Sequence, residues 1–257
     1  MKLISLNAFG GKAYAPLMEF VKEHAPTTDI FCLQEIFSSP SPVHESHGAR
    51  MNLFEELGAA LPDFQGLLAS EQDGWDFQGP VGFPVSMGNA LFVRRTFPIA
   101  SSGNFFVYLA KNKVIDNQHF PQSVIYTRLE IRGARLTVAN FHGIPQPGHK
   151  LDTPERLAQS QRICEFLARE PGAKILCGDF NLLPGTQSLA LVEKDMRNLI
   201  TEFSIERTRS RLSPFFGKPD FQPFADYIFT SPRIHATRLE APDVQISDHL
   251  PLVLEFS

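Results

Sequence analysis

The stretch ILCGDFNLLPGTQSL (residues 175–189) carries three apolar residues into a glycine and then sets Asp179 and Asn181 on either side of Phe180. AKILCGD (173–179) reads as a strand buried on both faces, because its apolar residues are consecutive rather than alternating. Such a strand ends on a carboxylate and a carboxamide two positions apart. Period-two alternation then presents one acceptor and one donor on the same side, with Phe180 turned toward the core.

The same grammar recurs along the chain. KLISLN (2–7) ends on Asn7, TDIFCLQE (28–35) on Glu35, and ARLTVANFH (134–142) on Asn140 and His142. FADYIFTS (224–231) holds Asp226 beside Tyr227, and HLPLVLEF (249–256) starts on His249 directly after Asp248. Singly, each has an ordinary explanation: Asp and Asn after a strand are commonly turn residues, and a histidine among apolar neighbours is commonly structural. Jointly they point to one pocket, because buried carboxylates are costly unless paired or bound to a metal.

The remaining chain alternates strands and helices. APLMEFVKEHA (15–25) and ARMNLFEELGAAL (49–61) have helical periodicity. DTPERLAQSQRICEFLARE (152–170) is the clearest helix, with Asp152 or Thr153 to cap it, Pro154 in its first turn and Pro171-Gly172 to end it. NALFVRR (89–95) and QSVIYTRLEIR (122–132) read as strands, the latter turning at Gly133 into a hairpin. Loops 70–88, 104–121 and 201–224 are long, where specificity commonly resides. Without a low-complexity linker or an internal repeat, residues 1–257 read as one domain.

Composition bounds the function. With 43% hydrophobic and 20% charged residues the chain is an ordinary globular sequence, and most of its 23 Phe must be core. A net charge of −4 argues against a non-specific grip on duplex nucleic acid but not against a small phosphorylated substrate. No run approaches the ~18 apolar residues of a membrane span, and MKLISLNAFGG lacks the apolar core of a secretory signal. Cys32, Cys164 and Cys177 sit in apolar surroundings and read as reduced thiols, which places the protein in the cytoplasm.

LNAFG, LQEIF, NFHG, GDFNLLP, DYIF and SDHLPL, in that order, resemble the endonuclease/exonuclease/phosphatase superfamily, the DNase I-like metal-dependent phosphoesterases. The resemblance runs from residue 4 to 256, and GDFN and SDHLPL are its most specific pieces. It implies an α/β fold of two packed, mostly antiparallel β-sheets flanked by helices, a four-layer sandwich whose site lies where strand ends meet. It further implies hydrolysis of phosphodiester bonds by metal-activated attack of water, of the nuclease type first. Asn7, Glu35 and Asp248 are the implied metal residues, and hard oxygen ligands suit Mg²⁺ or Mn²⁺.

The resemblance also assigns roles. Asp179 orients or deprotonates the attacking water, and Asn181 donates to the phosphate. His249 pairs with Asp226 and serves either as a base or as a cationic clamp. His142 stabilises the transition state or protonates the leaving group. From the residues themselves, Asn140 and, in the loop of interleaved arginines and aromatics, Arg209 are expected on the substrate side, Asn140 also bracing the end of its strand.

The particular phosphoester is less legible. Abasic-site endonucleases of this group read QET-K after the second strand, whereas Gln34-Glu35-Ile36-Phe37 is similar to branches acting on lipid headgroups, inositol phosphates, RNA tails or phosphotyrosyl links to DNA. Arg207, Arg209 and Arg211 interleave with Phe215, Phe216, Phe221 and Phe224, a pattern that serves either nucleotide stacking or a packed loop with solvated charges. His149 and Lys150 border the pocket or lie in a plain solvated loop, and Trp75 is a stacking platform or a core plug. The alternative activity is a phosphatase or phospholipase C-like hydrolase of small or lipid phosphates. The minor alternative is a non-catalytic binding protein. The partner expected is the phosphoester, with nucleic acid as one form of it; no obligate protein partner is evident.

Overall fold

The computed structural model describes residues 1–41, 43–116 and 119–257. In chain order they form β1 (Lys2–Asn7), α1 (Tyr14–His24), β2 (Ile30–Ser38), β3 (Glu45–Ser46), β4 (Ala49–Arg50), α2 (Leu53–Ala60), β5 (Phe64–Asp73) and β6 (Ser86–Arg94). There follow β7 (Ile99–Tyr108), β8 (Gln122–Ile131), β9 (Ala134–His142), α3 (Pro154–Arg169), β10 (Ala173–Asp179), α4 (Gln187–Glu193), β11 (Arg197–Asn198) and α5 (Leu199–Glu202). β12 (Asp226–Thr230), β13 (Ala236–Glu240) and β14 (Leu252–Phe256) complete the chain.

Two six-stranded sheets result, ordered β13-β14-β1-β2-β6-β5 and β11-β12-β10-β9-β8-β7. Each contains one parallel pair, β1 with β2 and β9 with β10, and every other pairing is antiparallel. The expected α/β sandwich of two packed, mostly antiparallel sheets is therefore the observed fold.

Consecutive apolar residues in the first sheet divide between its two faces. Leu3, Ile30, Cys32, Leu91 and Val93 join the core shared with the second sheet. Their neighbours Ile4, Phe31, Leu33, Ala90 and Phe92 pack instead with Leu17, Phe20 and Val21 of α1 and Leu53 and Leu57 of α2. A strand buried on both faces gains from each residue in turn, about 1.5–3 kcal/mol per large apolar side chain. On the far side, Ile163 and Leu167 of α3 and Leu189 and Val192 of α4 cover the second sheet.

The parallel pairs position the site. Parallel strands end at the same edge, so Asn7 lies beside Gln34 and Asp179 beside His142. β12 runs antiparallel to β10, which places its first residue, Asp226, opposite Asp179. Gly178 permits the approach of β9: its φ is +135°, and a Cβ there would lie 1.9 Å from the Phe141 carbonyl oxygen.

Several boundaries differ from expectation. β5, β7, β13 and α4 were not anticipated, and loops 70–88 and 104–121 begin inside strands. The helix expected from residue 49 starts at Leu53, because Ala49–Arg50 pair with Glu45–Ser46. Thr153 caps α3 by accepting from the Arg156 amide, whereas Asp152 accepts from the Gln187 and Ser188 amides and the Ser188 hydroxyl at the start of α4.

Candidate active site

Two imidazoles converge on one carboxylate oxygen. His249 Nε2 lies 3.5 Å and His142 Nε2 3.8 Å from Asp179 Oδ2, and all three residues are about 2% exposed. His142 Nε2 is also 3.7 Å from Glu35 Oε1. Asn7 ties the two sheets across this centre, its Nδ2 donating to Glu35 Oε1 at 3.0 Å and to Asp179 Oδ2 at 3.1 Å. Its Oδ1 accepts from the Phe9 amide.

Glu35 reaches the centre through a backbone irregularity. The β2–β6 register shifts between Leu33 and Ile36, and Glu35 takes a φ of +57°. Bulges re-aim side chains in this way, and a left-handed non-glycine residue is a strained conformation typical of functional positions. Burial pushes the Glu35 carboxyl up, His142 opposes that, and Asp248 adds to it. Its Oε2 is buried without a hydrogen-bond partner.

His249 is held by Asp226, whose oxygens lie 2.9 and 2.8 Å from Nδ1. Burial and then Arg209 push the imidazole pKa down, but Asp226, Asp248 and Asp179 outweigh them and the net shift is upward. Burial likewise raises the Asp226 carboxyl despite its histidine partner, with Asp179 adding to the rise. Asp179 behaves oppositely. Burial raises it, yet His249, Lys150, His142 and Arg209 together hold it well below the usual carboxylate range. The carboxylate between the two histidines stays ionised.

Arg209 completes the cluster: Nη1 donates to Asp248 Oδ2 at 2.9 Å and lies against His249 Nε2. It arrives from the 201–224 loop, whose start is tied down. The Thr208 hydroxyl accepts from the Ala225 and Asp226 amides, and the Ser210 amide donates to the Asp248 carbonyl. Arg207 and Arg211 instead pair with Asp243, so one arginine of the three faces the centre. Ser247 donates to the Asn7 carbonyl at 2.7 Å and accepts from the His249 amide.

Two expectations need correction. Asn140 is not on the substrate side. It is 0% exposed, Oδ1 accepts from Gln34 Nε2, and Nδ2 donates to the Leu33 and Ala90 carbonyls of the opposite sheet. It clasps the two sheets together. Asn181 does not continue an extended segment beside Asp179. Its φ is +53°, its amide donates to Asp179 Oδ1, and its Nδ2 donates to the Gly143 carbonyl. A turn, not strand alternation, brings it to the pocket. Phe180 nevertheless faces the core, against Phe141, Tyr227 and Phe229.

Glu71 was missed. Fully buried on β5, its Oε1 accepts from Asn89 Nδ2 and from the Ser123 amide and hydroxyl. Burial raises its pKa to about 8, with the nearby Glu35 contributing. The sequence offered one signal, a charged residue in the otherwise mild LLASEQ (67–72), obscured by assigning that segment partly to a loop.

The residues fit a hard cation. Glu35 offers a buried oxygen without a partner beside further carboxylates, and oxygen donors suit Mg²⁺ or Mn²⁺. Asp179, Asp226 and His249 form a second buried group with ligand atoms within 4.8 Å of one another. There, however, Asp226 engages His249 Nδ1 and the Arg209 guanidinium lies against Nε2, which leaves no free ring nitrogen for a cation and favours the Glu35 side. A cavity of about 380 Å³ opens alongside, lined by Gln146, Lys150, Asn181, Arg209, Phe215 and Phe221 among others. Among the described residues no helix is long and apolar enough to cross a membrane.

Residues 4–249 match the model of the endonuclease/exonuclease/phosphatase family. Comparison with curated protein sequences returns no match. Solved structures similar in fold include a family protein from Leptotrichia buccalis, with TM-score 0.73, 16% identity, and coverage of 100% of this chain and 99% of the other. A mannosyl-6-phosphatase from Bacteroides thetaiotaomicron gives 0.70 at 18% identity, covering 100% and 99%. The human Nocturnin catalytic domain with bound sulfate gives 0.67 at 20% identity, covering 100% and 93%.

Proposed function

The chain belongs to the endonuclease/exonuclease/phosphatase family, and on that premise we propose that it is a divalent-metal-dependent phosphoesterase hydrolysing phosphodiester bonds. Members of this family are hydrolases of phosphoester bonds, generally dependent on a divalent metal. The observation that carries the reading is the pair of imidazole nitrogens within 3.8 Å of a single buried carboxylate, Asp179.

In this reading Asp179 accepts the proton of, or orients, the attacking water. His249, oriented by Asp226, is biased toward the imidazolium by the surrounding carboxylates and neutralises charge on the phosphoryl group. His142 protonates the leaving oxygen, a contribution typically of ~10²–10⁴-fold for a positioned acid–base group. Asn181 lines the approach and keeps one amide hydrogen for the phosphate. Glu35 and Asp248 would hold Mg²⁺ or Mn²⁺, while Asn7, expected among the ligands, turns its amide donors to Glu35 and Asp179 and would orient the Glu35 carboxylate instead. When bound, that ion supplies polarisation of a phosphate oxygen and charge neutralisation at the leaving group.

A phosphatase or phospholipase C-like activity on a small phosphate is the second reading, favoured by the net charge of −4. The test is hydrolysis of DNA, RNA, bis-p-nitrophenyl phosphate, p-nitrophenyl phosphate, sphingomyelin and inositol phosphates with Mg²⁺, Mn²⁺ or EDTA. Chelator-sensitive turnover of a diester is expected. Exclusive turnover of monoesters selects the second reading, and turnover of none refutes both.

A further inference from the structure

One cation at the cavity has not been assigned a partner. Lys150 is 6% exposed, and its Nζ is buried without any hydrogen bond. It lines the cavity with Asn181 and Arg209, so an ammonium with three donors and no hydrogen-bonded anion shares the cavity wall with a guanidinium that is paired to Asp248. Left bare, a buried ammonium is strongly unfavourable.

The backbone is nonetheless built to keep it there. Lys150 has a left-handed φ of +56°, and the Leu183 amide donates to its carbonyl. The loop before it is stapled from beneath by Arg156, itself 0% exposed. Arg156 donates to the carbonyls of Ile144, Pro145, Pro147 and Leu151. A fold that fixes a strained backbone in order to hold an unsatisfied charge beside its reactive centre has a ligand for that charge.

We propose that Lys150 is a substrate-binding residue whose Nζ, together with Arg209, holds a non-bridging oxygen of the ester's phosphoryl group. A tetrahedral oxyanion supplies several acceptors to two cations that otherwise repel each other. Lysine suits the task as a point charge on a flexible stem beside the more rigid arginine. The local field agrees: burial and then Arg209 lower the Lys150 pKa to about 8, against the attraction of Asp179, Asp226 and Asp248. An anion settling between Lys150 and Arg209 would reverse their mutual repulsion. Asp220 is also on the cavity wall.

This inference rests on the phosphoester reading of the same site, and one experiment separates their failures. Inorganic phosphate is titrated calorimetrically into the full-length protein, wild type, Lys150→Met and Lys150→Arg, with and without Mg²⁺. KM and kcat are measured on the best substrate of the panel, and the unfolding temperature is recorded for each. Lys150→Met should weaken phosphate about 10- to 100-fold, the loss expected for a charge-assisted hydrogen bond. It should raise KM more than it lowers kcat, and Lys150→Arg should restore part of the affinity. Because an unpartnered buried charge is removed, the methionine variant should melt at or above the wild-type temperature. Phosphate affinity and KM within twofold of wild type in Lys150→Met would overturn the proposal while wild-type turnover leaves the phosphoester reading standing. So would a methionine variant that melts lower and an arginine variant that restores nothing. Lys150-dependent phosphate binding without turnover of any ester would support the proposal and refute the catalytic reading. A wild type that neither binds phosphate nor turns over any ester overturns both.

Discussion

Replacing Asp226 by Asn changes one charge at the heart of the site while keeping shape. His249 Nδ1 sits 2.9 and 2.8 Å from the two Asp226 oxygens. A hydrogen bond to a charged group contributes about 1.5–3 kcal/mol and a neutral one about 0.5–1.5 kcal/mol. An asparagine that offers its carbonyl oxygen to Nδ1–H therefore gives up about 1–1.5 kcal/mol, or roughly 5- to 10-fold in rate. An asparagine that offers its NH₂ instead fixes the wrong tautomer, and the loss moves toward ~10²–10⁴-fold. The fold should tolerate the change. Burial outweighs His249 in setting the Asp226 carboxyl, with Asp179 adding to the rise, so neutralising it removes a desolvation cost along with the attraction to His249, and the melting temperature should stay within about 4 °C. The assay is kcat on the best diester between pH 6 and 9 with saturating Mg²⁺, alongside thermal unfolding. Because the carboxylates raise His249 above its ordinary 6.5, the imidazolium persists above that pH in the wild type, and its limb of the profile should move to lower pH in the variant. An Asp226→Asn protein with more than half the wild-type kcat and an unmoved profile would refute the dyad.

Glu71 gives a stability test. Its carboxyl rises from 4.5 to about 8 on folding, so the folded protein holds a proton that the unfolded chain releases, and stability falls as pH climbs through that window. Glu71→Gln should remove this slope and be the more stable protein at pH 9 in urea unfolding; parallel curves at pH 5, 7 and 9 would contradict it. Arg156→Met removes the donors to four loop carbonyls and should cost about 3–5 kcal/mol with a raised KM. A loss below about 1 kcal/mol would show that the loop does not depend on the clamp. His142→Ala should lower kcat by ~10²–10⁴-fold without unfolding the protein, as circular dichroism would report; near wild-type turnover would remove His142 from the chemistry.

The strands that build the site were legible because burial on both faces writes itself as unbroken apolar runs, and their polar ends stand out against that background. His142, Asp179, Asp226 and His249 were found that way, and the structure brings them together. What depended on backbone irregularity was hidden. No residue type announces the bulge that turns Glu35 inward, and nothing in GDFN separates an extended Asn181 from one in a left-handed turn. Strands such as β5 and β7, partly exposed along their length, lack the apolar continuity that marks central strands. Lys150 and Asn140 were misjudged or left open for a common reason. Whether a polar side chain meets solvent, ligand or another carboxamide is decided by segments far away in the chain.

Apolar side chains hold two sheets together without specifying their lateral offset, since dispersion and water exclusion have no direction. Between these sheets directional polar bonds set the offset, and nearest the reaction centre is a carboxamide handshake, Gln34 to Asn140, with Asn140 also gripping the Leu33 and Ala90 carbonyls. Glu35 follows Gln34 by one residue on one sheet, and His142 follows Asn140 by two on the other. The polar clasp thus acts as the ruler for the reaction centre, and the loops above it are free to diverge in substrate preference without altering the spacing of the groups below.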